Sequence, residues 1–193
     1  MGRLFGTDGI RGVAGRELTT ELAHGLGRAL VATVGSRRPR VAVGRDTRAS
    51  GEMLEAALAA GICSAGGDVL LLGVVPTPAV AFLTVDLGAH AGAVISASHN
   101  PPRDNGIKLF SSDGMKLPDM VEDEIERLVR EGGGEVAEGL EVGRILRQED
   151  AADRYLGHLA ASVTGTLGGL QIVVDAANGA AYRVAPSLLR RLG

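Results

Sequence analysis

Apolar positions recur along this chain in two periods that alternate. Leu22, Leu26, Leu30 and Val34 are spaced for a helix, with Thr19 or Thr20 as its cap and Gly35 as its stop. Residues 41–43 form a short buried strand, and Ser50 opens a helix over 52–65 that closes at Gly66 and Gly67. A strand over 69–72 follows, then a Pro-rich turn into a short helix through Leu83, then a wholly apolar strand over 91–95. Residues 107–110 and 115–117 flank Ser111, Ser112, Asp113 and Gly114, whose Asp-Gly predicts a hairpin. Pro118 suits the first turn of a helix running to about Arg130. Residues 132–143 lack periodicity and read as a loop or linker. A helix over 150–163 then presents Ala152, Tyr155, Leu156, Leu159 and Val163 on one face. A strand over 170–174 and a last helix complete the pattern. The alternation predicts an α/β fold, a layered mixed sheet with helices on both faces, over residues 1–150. Residues 151–193 read as the first βα unit of a second, similar domain.

Chemistry concentrates where strands give way to loops. Residues 5–12 (Phe-Gly-Thr-Asp-Gly-Ile-Arg-Gly) hold three glycines around one acid and one base, a backbone shaped for close approach rather than a helix or regular strand. Residues 44–51 form a second charged, hydroxyl-rich loop. The third, from Ile95, reads Ile-Ser-Ala-Ser-His-Asn-Pro-Pro and then Arg-Asp-Asn-Gly-Ile-Lys. In open α/β sheets reacting groups sit just past the carboxyl ends of strands, which singles out Ser98 as a carrier of a phosphoryl group. Transfer of phosphoryl requires that dianionic oxygens be held and neutralised, and Arg11, Arg45, Arg48 and Lys108 are the cations placed to do so. A serine-hydrolase reading fails on spacing: Ser98 lacks the Gly-x-Ser-x-Gly frame, and His99, its immediate neighbour, is expected to point elsewhere. A capped turn without function is the plain alternative.

Composition narrows the class. Among 193 residues, 45% are hydrophobic but only 3% aromatic, so the core is aliphatic, and 29 glycines foretell many tight turns. A net charge of −3 without a long basic run gives no reason to expect nucleic acid. Cys63 is the one cysteine, so no intrachain disulfide forms; it reads as a small buried hydrophobe in a reducing compartment. With neither a signal-peptide core nor a long apolar run, a cytoplasmic protein off the membrane is expected. Asp119, Glu122, Asp123, Glu124 and Glu126 read as a solvated acidic face that suits a helix N-terminus, rather than a metal site.

Residues 5–12, 44–51, 76–80 and 95–110, four motifs in one order, resemble the amino-terminal domain of the α-D-phosphohexomutase superfamily, and most closely its bacterial branch acting on glucosamine phosphates. Residues 173–179 resemble the start of that family's second domain. The resemblance implies that Ser98, not Ser96, is the phosphoserine. It would donate its phosphoryl to glucosamine 6-phosphate and recover the other from a 1,6-bisphosphate intermediate. Arg11 and Lys108 match basic groups around that phosphate and its acid/base chemistry, and His99 and Asn100 support the loop. One Mg²⁺ bound partly through the Ser98 phosphate is implied, and a homodimer is possible for a full-length protein. The family's Asp-Gly-Asp-x-Asp-Arg metal loop is absent from these 193 residues, so the chain is expected to be a fragment, inactive alone. Glucose or mannose phosphates as substrates, or a non-catalytic sugar-phosphate-binding module, are the alternatives.

Overall fold

A computed structural model describes residues 3–193. Its elements are β1 (Ile10–Val13), α1 (Thr20–Thr33), β2 (Arg40–Arg45), α2 (Gly51–Ser64), β3 (Asp68–Val74), α3 (Thr77–Asp86), β4 (Ala91–Ile95), β5 (Asp104–Ser111), α4 (Asp119–Arg130), β6 (Ile145–Arg147), α5 (Ala151–Ala161) and α6 (Val184–Leu192). The strands form one mixed sheet in the order β1-β5-β4-β2-β3-β6. β4, β2, β3 and β6 run parallel, while β5 is antiparallel to both β4 and β1. The chain moves from β2 outward to β3, then crosses back over β2 to β4. Strand order therefore reverses between β2 and β4, and their carboxyl ends border a crevice of the kind where α/β proteins bind ligands.

Helices cover both faces. On one, α1, α2 and α4 bury Leu26, Leu30, Leu54, Leu58, Ile62 and Ile125 against Ile10, Ile95 and Ile107 of the sheet. On the other, α3, α5 and α6 pack Val80, Leu83, Tyr155, Leu156 and Val184 against Leu70, Leu72, Val94 and Phe110. α1 starts where Thr19 Oγ1 accepts the Leu22 N–H at 3.2 Å, and Gly35 follows its end at φ 56°. α1 and α2 cross so closely that a Cβ on Gly27 would strike the Leu58 carbonyl, and one on Gly61 the His24 carbonyl. Cys63 is half-buried beside this contact, where burial pushes its thiol pKa up.

Several expectations need correction. Residues 10–13 are a regular edge strand, not coil, because β5 offers them a full antiparallel ladder. The hairpin at 111–114 shrinks to a single bridge between Phe110 and Lys116. β6 lies in the stretch after the linker and is held to β3 by Val69–Ile145 pairing. The acidic helix is not uniformly solvated: Glu122 and Glu126 are buried, Glu122 against Lys116 at 2.9 Å and Glu126 under the Leu4 and Phe5 N–H groups at 2.7 and 2.9 Å. Helix α5 ends at Ala161, leaving Val163 outside and exposed, and Ala151 rather than Ala152 takes the buried place beside Tyr155 and Leu156. Residues 170–174 form no strand. No neighbouring strand meets their N–H and C=O groups, and Leu170, Ile172, Val173 and Val174 stay exposed.

Candidate active site

The loop after β4 is the centre of the crevice. All five residues of β4 are buried, and Ser96 continues the ladder by donating its N–H to the Gly106 carbonyl at 2.9 Å. Ala97 is fully buried and anchors the turn, which the Asn100 N–H closes on the Ala97 carbonyl at 3.0 Å. Between them Ser98 stands exposed at φ 56°, in the left-handed region that costs a non-glycine residue about 1 kcal/mol. Its backbone is held on both sides: the N–H donates to Ser96 Oγ at 3.0 Å, and the carbonyl accepts from Arg48 Nη2 at 2.9 Å. The Ser98 hydroxyl makes no backbone bond and lies 3.3 Å from His99 Nδ1. His99 therefore does turn toward Ser98, against expectation, but within the described residues no acid orients its ring as a hydrolytic triad requires.

β1 and β5 bring two cations alongside. Arg11 stands opposite Gly106 and Ile10 opposite Ile107, so Arg11 and Lys108 emerge from the same face of the sheet, away from the isoleucine row. Asp8 lies between them, 3.5 Å from Arg11 Nη2 and 3.8 Å from Lys108 Nζ. Arg11 Nη1 also donates to Asn100 Oδ1 at 3.3 Å, and Asn100 Nδ2 donates to Asp104 Oδ2 at 3.2 Å. Asn100, Arg11, Asp8 and Lys108 thus form one polar group, next along the chain to the Ser98–His99 pair. Arg11 and Lys108 are each 29% exposed.

The other two arginines do something else. Arg45 is turned onto α2, where it meets Glu52 at 2.9 Å and Glu55 at 3.3 Å. Both contacts are carboxylates of its own βα unit. Arg48 lies beneath the serine loop with its donors turned toward Asp46 and loop carbonyls. Two residues escaped the sequence reading. Asp46, nearly buried, accepts from Ser96 Oγ at 2.6 Å, and Ser96 in turn receives the Ser98 amide. The signal for Asp46 was its spacing to Arg48: Asp46 Oδ1 accepts the Arg48 N–H at 3.0 Å, an Asx turn.

For a metal the donor set is poor. Among the described residues no three His, Cys, Asp or Glu side chains gather to hold an ion. Mg²⁺ calls for about six oxygen ligands, and the residues present do not fit that need. Among the described residues no helix is long and apolar enough to cross a membrane.

An exposed serine on a left-handed turn, at the carboxyl end of a strand where strand order reverses, suits phosphoryl transfer. The chain is 58% identical over 197 residues to the phosphoglucosamine mutase of Moorella thermoacetica, and 56% identical over 197 residues to that of Desulforamulus reducens. Each alignment covers 100% of this chain and 44% of the relative, so the chain spans less than half the length of these relatives. A crystal structure of a phosphoglucomutase/phosphomannomutase family protein from Burkholderia thailandensis superposes with a TM-score of 0.84 at 31% identity, covering 99% of this chain and 42% of that one. The family model for phosphoglucomutase/phosphomannomutase α/β/α domain I matches residues 2–134, which contain the serine loop, both cations and Asp46; the chain belongs to the phosphoglucomutase/phosphomannomutase family.

Proposed function

We propose that this chain supplies the phosphoserine-bearing part of a phosphoglucosamine mutase, which interconverts glucosamine 6-phosphate and glucosamine 1-phosphate. The observation that carries the reading is Ser98 itself, exposed in a left-handed turn, with Arg11 bonded to Asn100 of the same loop and Lys108 joined to Arg11 through Asp8. In the first half-reaction the sugar 1-hydroxyl attacks the phosphorus of phospho-Ser98. The bond from phosphorus to Ser98 Oγ breaks as the bond to the sugar oxygen forms; the sugar hydroxyl proton passes to a base, and the departing Ser98 Oγ takes up a proton. The 1,6-bisphosphate then reorients, Ser98 Oγ loses its proton to a base and takes the 6-phosphoryl, and the sugar 6-oxygen takes up a proton as glucosamine 1-phosphate departs. Arg11 and Lys108 offset the negative oxygens of the transferring group, and Lys108 is the candidate acid/base. The identity of 56–58% to proteins of that name supports the amino sugar over glucose or mannose phosphates.

The phosphate on Ser98 would give a Mg²⁺ ion one oxygen. Residues 151–193 are read as the beginning of a second domain, α5 and α6 being seated on the first. A cytoplasmic setting suits a chain with a single cysteine. The test is Ser98→Ala in the full-length protein, followed by intact mass and by mutase assays on glucosamine, glucose and mannose phosphates. Loss of both the phosphate and turnover is expected, with glucosamine phosphate preferred by the parent. Retained phosphate and turnover in the variant would remove Ser98 from the mechanism.

A further inference from the structure

The Ser-Ala-Ser sequence of the loop places two hydroxyls two residues apart, and they do different work. Ser96 Oγ has one proton and commits it to Asp46 Oδ2 at 2.6 Å, a short bond because the acceptor is charged. With the proton directed there, the oxygen's lone pairs face the other way, and one accepts the Ser98 N–H at 3.0 Å. Asp46 is the fixed end of this line. It receives three donors, from Ser96 Oγ and from the Arg48 N–H and Nε, both at 3.0 Å. A carboxylate meets three donors with acceptors alone, whereas an amide would set its own N–H₂ against one of them.

Arg48 completes the arrangement from below. Its Nε binds Asp46, its Nη1 donates to the Pro101 and Asp104 carbonyls at 2.8 and 2.9 Å, and its Nη2 to the Ser98 and Asn100 carbonyls at 2.9 Å each. All five N–H donors of the guanidinium are thereby used on the protein, which leaves none for a substrate phosphate. The peptide groups on both sides of the Ser98 Cα are held, so the direction in which its side chain leaves the backbone is set.

We propose that Asp46 and Ser96 are positioning residues for phosphoryl transfer at Ser98: the line Asp46–Ser96–Ser98 N–H, braced by Arg48, keeps Ser98 in its left-handed turn and aims its oxygen for in-line transfer. The proposal rests on the reading of Ser98 as the phosphoryl carrier. Its effect falls on the chemical step, because these groups spend their hydrogen bonds on one another and on the serine loop, and misalignment by an ångström costs a reaction about a hundredfold.

The test uses the full-length enzyme with Ser96→Ala, Ser96→Thr and Asp46→Asn. Phosphate on Ser98 is measured by phosphopeptide mass, and kcat and KM are measured for glucosamine 6-phosphate. Ser96→Ala and Asp46→Asn are expected to keep phosphate on Ser98 and KM within threefold, while kcat falls by roughly 30- to 100-fold. Ser96→Thr, which retains the hydroxyl, is expected to bring kcat back to within fivefold of the parent. A parent enzyme that never carries phosphate on Ser98 overturns the mutase reading and this proposal together. A phosphorylated parent whose Ser96→Ala form keeps full kcat, or loses only KM, overturns the positioning role alone. Equal loss in Ser96→Ala and Ser96→Thr does the same. If Asp46→Asn does not fold, the Ser96 pair decides.

Discussion

Arg11 stands directly opposite Gly106 across the β1–β5 pair, and a Cβ at position 106 would come within 3.0 Å of the Arg11 Cγ. The same atom would lie 2.7 Å from the Ser96 carbonyl oxygen. The side chain could swing aside, but the carbonyl is backbone and belongs to the serine loop. Gly106→Ala is therefore expected to push Arg11 and that loop apart. We expect activity of the full-length enzyme to drop by about a hundredfold, with a stability loss of about 1–3 kcal/mol from overpacking. Steady-state kinetics and a urea melt on the variant check both. Wild-type kinetics would mean that the arginine's placement does not depend on this glycine.

What the chain revealed in advance, and what it hid, divides along the same line. The helices and β4 were legible because their apolar spacing is dictated by burial, one face for α1 and both faces for β4. Ser98, Arg11 and Lys108 were legible because glycine, hydroxyl and cation crowd together at strand ends. Partner choice was not. Arg45 and Arg48 stand three residues apart, one ending β2 and the other in the loop after it; register and helix placement turn the first onto Glu52 and Glu55 and the second under the serine turn. Glu126 was hidden among surface acids because its buried role depends on Leu4 and Phe5, more than a hundred residues away. β6 has three residues, all exposed, so burial wrote no pattern into it. Residues 170–174 misled in the opposite sense: an apolar run predicts a strand only where a sheet edge is there to receive it.

Asp8 occupies ground that a phosphoryl group would claim. Its carboxylate bridges Arg11 and Lys108, yet it is 58% exposed and both contacts exceed 3.4 Å, so each is worth little. Removing its charge raises the positive potential of the crevice without disturbing the fold. Asp8→Asn is expected to unfold within about 0.5 kcal/mol of the parent. It should bind inorganic phosphate severalfold more tightly at low ionic strength. Near 1 M salt, where the screening length is about 3 Å, the difference should vanish. Calorimetric titration at two salt concentrations reads this directly. Weaker phosphate binding in the variant would show that Asp8 organises the cations rather than competing for them.

Acid should loosen the edge of the sheet through Asp68. Arg38 grips this carboxylate with Nε and Nη2 at 3.0 Å, and the Arg144 N–H donates to it at 2.8 Å just before β6. The Arg38 hydrogen bonds hold its pKa below the ordinary carboxylate value, outweighing the opposing effect of burial. A folded-state pKa below the unfolded one means that the carboxylate contributes stability above the unfolded value of about 3.9, and that this is lost as pH falls through the folded value. Asp68→Asn should accordingly be less stable than the parent near pH 7, and the gap should narrow once pH drops below about 4. Urea midpoints for both proteins across that range give the answer. A gap that stays constant into acid would show that the hydrogen-bond geometry of Asp68, not its charge, does the holding.

The run from Leu170 to Val174 carries the largest consequence for handling this chain. Leu170 is 64% exposed and Val173 98%, and the backbone from 170 to 175 belongs to no ladder. On either side the chain is pinned: the Leu167 N–H donates to the Leu192 carbonyl at 2.8 Å, and the Thr47 hydroxyl bonds the Asn178 carbonyl. An apolar, exposed segment outside any ladder, presented between two fixed points, is a template for pairing with a copy of itself. The isolated chain is therefore expected to self-associate as its concentration rises, and Leu170→Lys with Val173→Lys should suppress this while leaving the thermal melt of the sheet in place. Sedimentation velocity over a concentration series follows the association, and amide exchange across Ile172 to Val174 follows the pairing. Slow exchange there in a sample that stays monomeric would defeat the prediction, because protection would then come from within the chain.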